Sequence, residues 1–505
     1  MKKKSNYFEP FSPKIIITNI FMSVCVVIIV VILILIAQGY SLGEGGGIER
    51  SGLLELSTHP GSTDIKIDGK NQFFQGNFSK ILSSEDHAIH VSKKGYDTWQ
   101  GQAKIESGLV TSIDWIRLFP DKKQFELIAD LAPARFSTVS PNHRYILYLP
   151  ENSTDLQIYD LQSNPKNPTS FNLARLLSST EVNSTANNIS PIDGTISVSS
   201  WNTNNDILII KWQHDELVTW ATINLSNPSD SINLSNKFSA IQFADLKMLN
   251  DSATKIWALS NGEIRIIDTA KNDIPEPIAD SVSVFNNSNS NLIFIKQETK
   301  DNKEVPVLYF YRENTKQPTK IKTLSTTDSL FALGRYWNKD WLAFTDNNKL
   351  HFYTGSLPVN STLKKTMKYS KVYPLGFKPT SISINTDQRI LSLNHDKQSF
   401  TLDINSNMTN DVTYAHTPNQ SWLDDYLKFS VNQGSLHVYD FDGGNTRTIL
   451  SPDYKIIHDA PLTIPSTSPY LYFFAQKDSA AEQTLPKEKD QTQITQAVQL
   501  YRLHL

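Results

Sequence analysis

The residues that could do chemistry are scattered along this 505-residue chain and form no familiar motif. Its eleven histidines, among them His87, His90, His143, His214, His351, His395, His416, His437, His458 and His504, stand singly. None has the His-Glu-x-x-His or other spacing that presents two imidazoles to one metal ion. No Gly-x-Ser-x-Gly elbow exposes a serine nucleophile, no glycine-rich loop offers its amides to a phosphate, and no Ser-x-Asp-x-Gly-x-x-Trp turn occurs. Asp424 and Asp425 adjoin in a strand-entry turn, where neighbouring side chains diverge, whereas the two carboxyls of a glycosidase must converge on one bond. Asp440 and Asp442 have calcium-ligand chemistry but lack the further oxygen donors and closing glutamate of an EF-hand, so a turn between strands is the plainer reading. The single cysteine, Cys25, lies in an apolar run, which leaves the rest of the chain without a thiol for disulfides, metal or nucleophilic catalysis. The sequence therefore nominates no catalytic, cofactor-binding or metal-ligating residue and leaves the binding residues unassigned.

The elements that must position any site begin with residues 15–37, IIITNIFMSVCVVIIVVILILIA, which carry no charged side chain. About 20 helical residues cross a hydrocarbon core of about 30 Å, and a helix satisfies its own backbone polar groups there. The run reads as a transmembrane signal-anchor helix. A buried core helix fits badly, because only Thr18, Asn19 and Ser23 are polar, and such residues in a lone span usually bond to their own backbone. Residues 1–14 hold four lysines against Glu9, whereas residues 41–50 hold two glutamates and one arginine. By the positive-inside rule the 1–14 tail is cytoplasmic and the C-terminal domains are extracellular or periplasmic. A cleaved signal peptide is the competing reading, although its apolar core normally spans about 7–15 residues and Ala37-Gln38-Gly39 is a poor cleavage site. Formal net charge is −3 with the two signs interleaved, which lacks the electrostatic footprint of a nucleic-acid binder.

Residues 38–49 include Ser-Leu-Gly-Glu-Gly-Gly-Gly and read as a flexible linker. Over 50–120 the pattern is short alternating strands at 53–58, 63–68, 88–92 and 110–118. His59-Pro60-Gly61-Ser62-Thr63 and Asp68-Gly69 are turn signals between them. LSTHPGSTDIKIDGK, KKGYDTWQGQAKIESG and IDWIRLFP together resemble a PEGA domain, a small β-sandwich module of bacterial envelope proteins. The naming turn survives in part as Pro60-Gly61-Ser62-Thr63, while Lys94-Gly95-Tyr96 and Trp99 match it well. The resemblance implies a non-catalytic spacer or adhesion module at the cell surface. The residues themselves suit turn roles for Gly61, Gly69 and Gly95 and core or sheet-face roles for Tyr96, Trp99 and Trp115.

Residues 121–505 repeat one unit: an apolar strand, a polar turn and a second strand. First strands lie at 145–149, 206–212, 255–260, 291–297, 341–345, 389–394, 426–431 and 470–476. Their partners lie at 156–161, 218–226, 263–269, 307–312, 349–354, 399–404, 435–441 and 499–505. The period, about 48 residues, suits propeller blades of four short strands. A turn bearing Asn or Asp precedes most first strands, as in Ser-Pro-Asn-His-Arg (140–144) and Asn-Thr-Asp-Gln-Arg (385–389). Segments 140–163 and 423–444 resemble blades of WD-repeat and Tol-type β-propellers. The strand at 125–131 has no blade of its own and is expected to complete the last one, hiding an open sheet edge. Segments 163–194 (helical at 173–179), 299–304 and 476–496 break the period and read as surface loops.

The expected fold is therefore mainly β, with one N-terminal transmembrane helix, a small PEGA-like β-sandwich, and then a β-propeller of eight blades, or seven if two units share one sheet. A pair of smaller sandwich domains is the rival architecture for 121–505. The expected function is a single-pass cell-envelope protein that displays a non-catalytic propeller outside the membrane for protein or cell-wall glycan binding or scaffolding. The alternative is a propeller enzyme, a lyase or glycosidase of envelope or extracellular polysaccharide, whose acids would come from different blades. Nucleic acid and cofactors are not expected, and a 14-residue tail leaves no room for a cytoplasmic output domain.

Overall fold

The computed structural model describes residues 13–42, 47–72, 77–163, 165–178, 193–250, 252–271, 274–313, 315–357, 367–419, 421–450, 455–457, 460–465, 468–476 and 498–505. The chain divides into two compact units, Met1–Lys122 and Lys123–Leu505. The 1–12 part of the tail, the 43–46 glycine run, 179–192 and 477–497 lie outside the described residues.

In the first unit α1 spans Pro13–Ala37. Proline is tolerated at its first position because the N–H it lacks would have no helical partner there. Within α1, Ile17–Ile36 has a mean hydropathy of 3.2 and none of its residues is buried in the protein, so it is long and apolar enough to cross a membrane. Its hydroxyls are satisfied one turn back, Thr18 Oγ1 donating to the Lys14 carbonyl at 2.9 Å and Ser23 Oγ to the Asn19 carbonyl at 2.8 Å.

The segment expected as a free linker is partly strand. β1 (Tyr40–Leu42) pairs antiparallel with the start of β2 (Ile48–His59), Tyr40 opposite Arg50 and Leu42 opposite Ile48. Gly39 makes the junction at φ +78, its carbonyl accepting from the Ser51 amide at 2.7 Å. A Cβ there would meet the Gly108 nitrogen at 2.3 Å, so only glycine fits. Composition alone suggested flexibility because the pairing strand lies beyond the glycines.

β3 (Asp64–Ile67), β4 (Lys70–Asn71), β5 (Phe78–Ser83), β6 (Asp86–Ser92), β7 (Trp99–Lys104) and β8 (Val110–Arg117) complete two four-stranded sheets. One joins β1, β2 and β5, with β8 parallel to β2, and the other runs β4-β3-β6-β7. Alternation sends Leu54, Ile65, Ile89, Val91 and Ile113 inward around Trp99, which is 2% exposed, with Tyr96 and Trp115 packed at its margin. Asp68 and Gly69 take the left-handed conformations of a tight hairpin turn. In the 59–63 turn, however, Ser62 and not Gly61 carries the positive φ.

Among the described residues the second unit forms a succession of eight antiparallel sheets, six of four strands and two of three. Each sheet is one blade. The expected first and second strands form its middle pair, for example Tyr145–Pro150 with Asp155–Asp160 and Ile207–His214 with Leu217–Asn224. Ahead of them run inner strands such as Ala134–Val139, Thr195–Trp201, Asp245–Leu249 and Val282–Ser288. In blade 7 the inner position is held by a short stretch, where the Asn419 and Leu423 amides donate to the carbonyls of Phe429 and Leu427. The middle strands read as unbroken apolar runs because both faces are covered. Leu147 and Ile158 of blade 1 meet Leu208 and Ile210 of blade 2, while Tyr148 of blade 1 stacks on Phe474 of blade 8 at 5.2 Å between ring centroids.

That last contact closes the ring. Val498–His504 of blade 8 takes Phe125–Leu131 as its outermost strand, Leu503 opposite Phe125 and Val498 opposite Leu131. The orphan strand thus completes the last blade, as its lack of partners implied. Pairing is reinforced by Arg502 on Glu126 at 2.6 Å and Gln499 on Asp130 at 2.5 Å. The helical stretch at 173–179 appears as α2 (Leu173–Leu177), capped by Asn172. Residues 299–304, expected as a loop, instead continue two ten-residue strands, Asn291–Lys300 and Lys303–Arg312, across a two-residue Asp301-Asn302 turn.

Candidate functional site

The turns that lead from inner to second strands share one design. In Ser140–Arg144, Asn202–Asp206 and Asn385–Arg389 the first residue's amide donates across the turn, to Tyr145, Ile207 and Ile390 respectively, at 2.9, 3.0 and 3.1 Å. Its side chain accepts from the strand beyond, as when the Ile207 amide donates to Asn202 Oδ1 and the Ile390 amide to Asn385 Oδ1. The fourth residue is left-handed, with φ of 60 at His143, 59 at Asn205 and 62 at Gln388. Glycine would adopt that conformation freely, so the side chains present there must return something for the strain.

They return contacts to the preceding blade. His143 of blade 1 shares a hydrogen bond with Thr463 of blade 8 at 2.9 Å. Asn205 Oδ1 of blade 2 accepts from the Asn142 amide of blade 1 at 3.2 Å. Gln388 Oε1 of blade 6 accepts from the Arg335 amide of blade 5 at 2.7 Å. Gly334 permits that approach, because a Cβ on it would lie 2.6 Å from Gln388 Oε1 and 2.4 Å from the Trp341 ring. A further bond crosses the ring, Thr386 Oγ1 of blade 6 donating to the Pro141 carbonyl of blade 1 at 2.8 Å. The tight-turn end of the channel is therefore drawn together by side chains.

A cavity of about 680 Å³ opens along this axis and is lined from all eight blades. More than half of its lining is Ser, Thr, Asn or Gln, including Ser137, Ser199, Asn286, Asn287, Asn385 and Asn419. Among the described residues no carboxylate lines it, and the titratable ones that do are His143 and Lys247. Lys247 lies 3.5 Å from Asp245. Burial holds the His143 imidazole down to about 4, against a weaker upward pull from Asp424, so the ring is neutral at physiological pH. His143 Nε2 and Trp422 Nε1 are buried without a hydrogen-bond partner among the described residues. A second cleft, about 250 Å³, shares Ser288 and Asn289 with the channel and extends between blades 4 and 5 to Arg312, Arg335 and Asp340.

Three of the four carboxylates singled out by sequence, Asp424, Asp440 and Asp442, have structural work. Asp424 Oδ1 accepts from the Tyr426 and Leu427 amides, both at 2.8 Å. Asp440 takes Arg447 at 3.2 Å and Asn445 at 2.9 Å, and Asp442 accepts from the Gly444 amide at 2.9 Å, which makes this stretch a blade turn. Arg144–Asp160 and Arg389–Asp403 clasp blades 1 and 6 in the same manner, the second pair nearly fully buried. Burial raises the carboxyls of Asp387 and Asp442 above their ordinary range, but neither lines the channel. Among the described residues no group of three or more His, Cys, Asp or Glu is placed to hold a metal ion.

One arrangement in the first unit has the residue types of a hydrolase triad. His87 Nδ1 lies 2.7 Å from Asp68 Oδ2, and His87 Nε2 lies 3.3 Å from Ser83 Oγ. Its bonding is wrong for catalysis. Nε2 sits closer to the Ser83 carbonyl, at 2.9 Å, and the Ser83 hydroxyl donates to Glu85 at 2.5 Å. A ring that donates from both nitrogens cannot accept a serine proton. Burial opposes the charge on His87, yet its bonds to Asp68 and the Ser83 carbonyl outweigh that and hold its pKa above the usual value.

Sequence reasoning missed the channel lining, since its members are single residues from eight repeats. The available signal was the turn position where His143, Asn205 and Gln388 stand in place of glycine.

No family model matches the chain, and no curated protein matches it. Among solved structures it is similar to the β-propeller domain of Cps50 (Swd1) from Myceliophteria thermophila, at 7% identity over 64% of this chain and 99% of that one, TM-score 0.37. Hsv2p of Kluyveromyces lactis matches at 12% identity over 63% of this chain and 97% of that one, TM-score 0.38. Oligogalacturonate lyase from Vibrio parahaemolyticus matches at 9% identity over 76% and 97%, TM-score 0.36.

Proposed function

We propose that this chain is a membrane-tethered envelope protein whose propeller is displayed outside the membrane and holds a partner, a protein or a cell-wall glycan, without chemical turnover. The observation that carries this reading is the lining of the channel, which gathers amides and hydroxyls from blades 1, 2, 4, 6 and 7 and, among the described residues, no carboxylate. Glycoside cleavage needs an acid and a base or nucleophile facing one bond, and a recognition surface needs only donors and acceptors held in place. The α1 span supplies the tether, and the lysine-rich tail before it supports a cytoplasmic N-terminus.

A photo-cross-linking residue substituted for Asn289, at the tight-turn end, tests this in living cells. Capture of a discrete partner is expected from Asn289 and not from Asn347, which sits in a turn at the opposite end of its blade. Equal capture from both positions, or shortened polysaccharide released by the purified protein, overturns the reading.

A further inference from the structure

Trp337 breaks a pattern kept elsewhere in the propeller. Two-residue hairpin turns begin with a left-handed residue at Asp215, Asn261, Asn289, Asp301, Asn347, Asp396 and Gln433, nearly all Asn or Asp. These tolerate the conformation because their short polar side chains bond locally. The turn between Phe331–Tyr336 and Lys339–Asp346 puts a tryptophan there, at φ 52 and 82% exposed. A bulky residue at positive φ is an outlier, and neither burial nor a core contact offsets it. Its indole stands as a free platform beside Tyr336, ring centroids 6.3 Å apart.

The platform stands at the tight-turn end of its blade. Gly334 and Arg335, on the strand leading into the Trp337 turn, line the 250 Å³ cleft that shares Ser288 and Asn289 with the channel. The charged groups of that cleft have partners of their own, Arg335 near Asp340 at 3.6 Å and Arg312 donating to Asn291 at 2.8 Å. Farther in, more than half of the lining is amide or hydroxyl, and two polar atoms on lining side chains more than nine-tenths buried have no partner among the described residues: the Trp422 indole N–H and Nε2 of the neutral His143. An aromatic face at the rim and, farther in, a run of uncharged donors and acceptors match one ligand chemistry. Sugar rings offer C–H faces to stack on an indole and hydroxyls that both donate and accept.

We propose that the tight-turn end of the propeller binds an uncharged oligosaccharide chain, stacked on Trp337 at the rim and hydrogen-bonded along the Ser288–Asn289 cleft into the channel. This rests on the non-catalytic binding role proposed above and specifies its ligand. A chain fits better than a single sugar because the cleft and the channel adjoin, with Ser288 and Asn289 in the walls of both.

The test uses the full-length protein in nanodiscs with chitohexaose, cellohexaose and maltohexaose as neutral probes, and hexagalacturonate as the acidic control. Calorimetry is expected to show binding of at least one neutral hexamer with quenching of tryptophan fluorescence. Trp337→Ala should weaken it about tenfold or more, Trp337→Phe less, and Asn347→Ala not at all. Trp337 is exposed, so its variants should keep the parent's thermal midpoint, which separates lost binding from lost fold. The inference is overturned if no neutral hexamer binds, if hexagalacturonate binds more tightly than all three, or if Trp337→Ala leaves the affinity unchanged. In any of those cases, protein captured from Asn289 would leave the broader binding role standing, and no capture would remove that too.

Discussion

Lys428 offers the most quantitative test of the packing between blades 6 and 7. It is 1% exposed, its Nζ donates to Ser383 Oγ at 3.1 Å, and the ammonium lies 3.7 Å from the centroid of the Trp422 ring. Burial pushes its pKa from 10.5 down to about 7. A shift of that size corresponds to about 5 kcal/mol at neutral pH, where the unfolded chain keeps the proton in water. The indole face returns about 2 kcal/mol to a desolvated cation, leaving a net penalty of about 3 kcal/mol. The sign follows from proton binding: between the two pKa values the unfolded state holds more protons, so stability rises with pH. Chemical denaturation of the full-length protein should therefore show the propeller more stable at pH 9.5 than at pH 7 by about 2 kcal/mol relative to Lys428→Met. The variant itself should be stabilised at pH 7, because a thioether fills the same space without a buried charge. A Lys428→Met protein destabilised at pH 7, or a parent whose pH profile parallels the variant's, would refute the reasoning.

Other perturbations reach the remaining elements. Leu500→Ala, at a fully buried position on the closing strand, should cost about 2–5 kcal/mol in the propeller transition, whereas Arg502→Ala, which removes a partly exposed ion pair with Glu126, should cost about 1 kcal/mol or less. Gly334→Ala should destabilise by about 1–3 kcal/mol, and pairing it with Gln388→Ala should recover part of the loss, because Gln388 Oε1 is one of the three atoms the new methyl would strike, the other two belonging to the Trp341 ring. Because the pKa of His87 is raised in the folded state, its contribution to the sandwich is full below pH about 6.5 and fades as pH rises through the folded value. His87→Gln should remove that fall in thermal scans. Arginine at Val27, Ile29 and Leu33, each costing about 2.5–3.5 kcal/mol at a helix centre, should shift the protein from the membrane to the soluble fraction.

Much of this architecture was legible in the residues for identifiable reasons. Middle strands such as 145–149 stood out because both faces of a blade are covered, which turns an alternating pattern into a continuous apolar one. The 125–131 strand was assigned to the last blade because an apolar strand without a local partner must pair elsewhere. Residues 40–42 were misjudged because three residues beside a glycine run look like spacer until β2 is present to pair with them. The 299–304 hairpin was misjudged because charged side chains suit an exposed strand as well as a loop. The candidate site was hidden more deeply. Thr386 and Pro141 are 245 positions apart and meet only once the ring closes, and the exposure of Trp337 depends on a turn register that periodicity does not specify.

The central claim is that the tight-turn end of the channel is where this protein meets its partner. Hydrogen exchange on the full-length protein, with and without the partner captured from Asn289, tests it most directly. The account predicts protection at residues 142–143, 203–205, 288–290 and 385–388 while the turns at Asn261, Asn347 and Asp396 exchange unchanged. Protection confined to those latter turns, or absent from both ends, would contradict it.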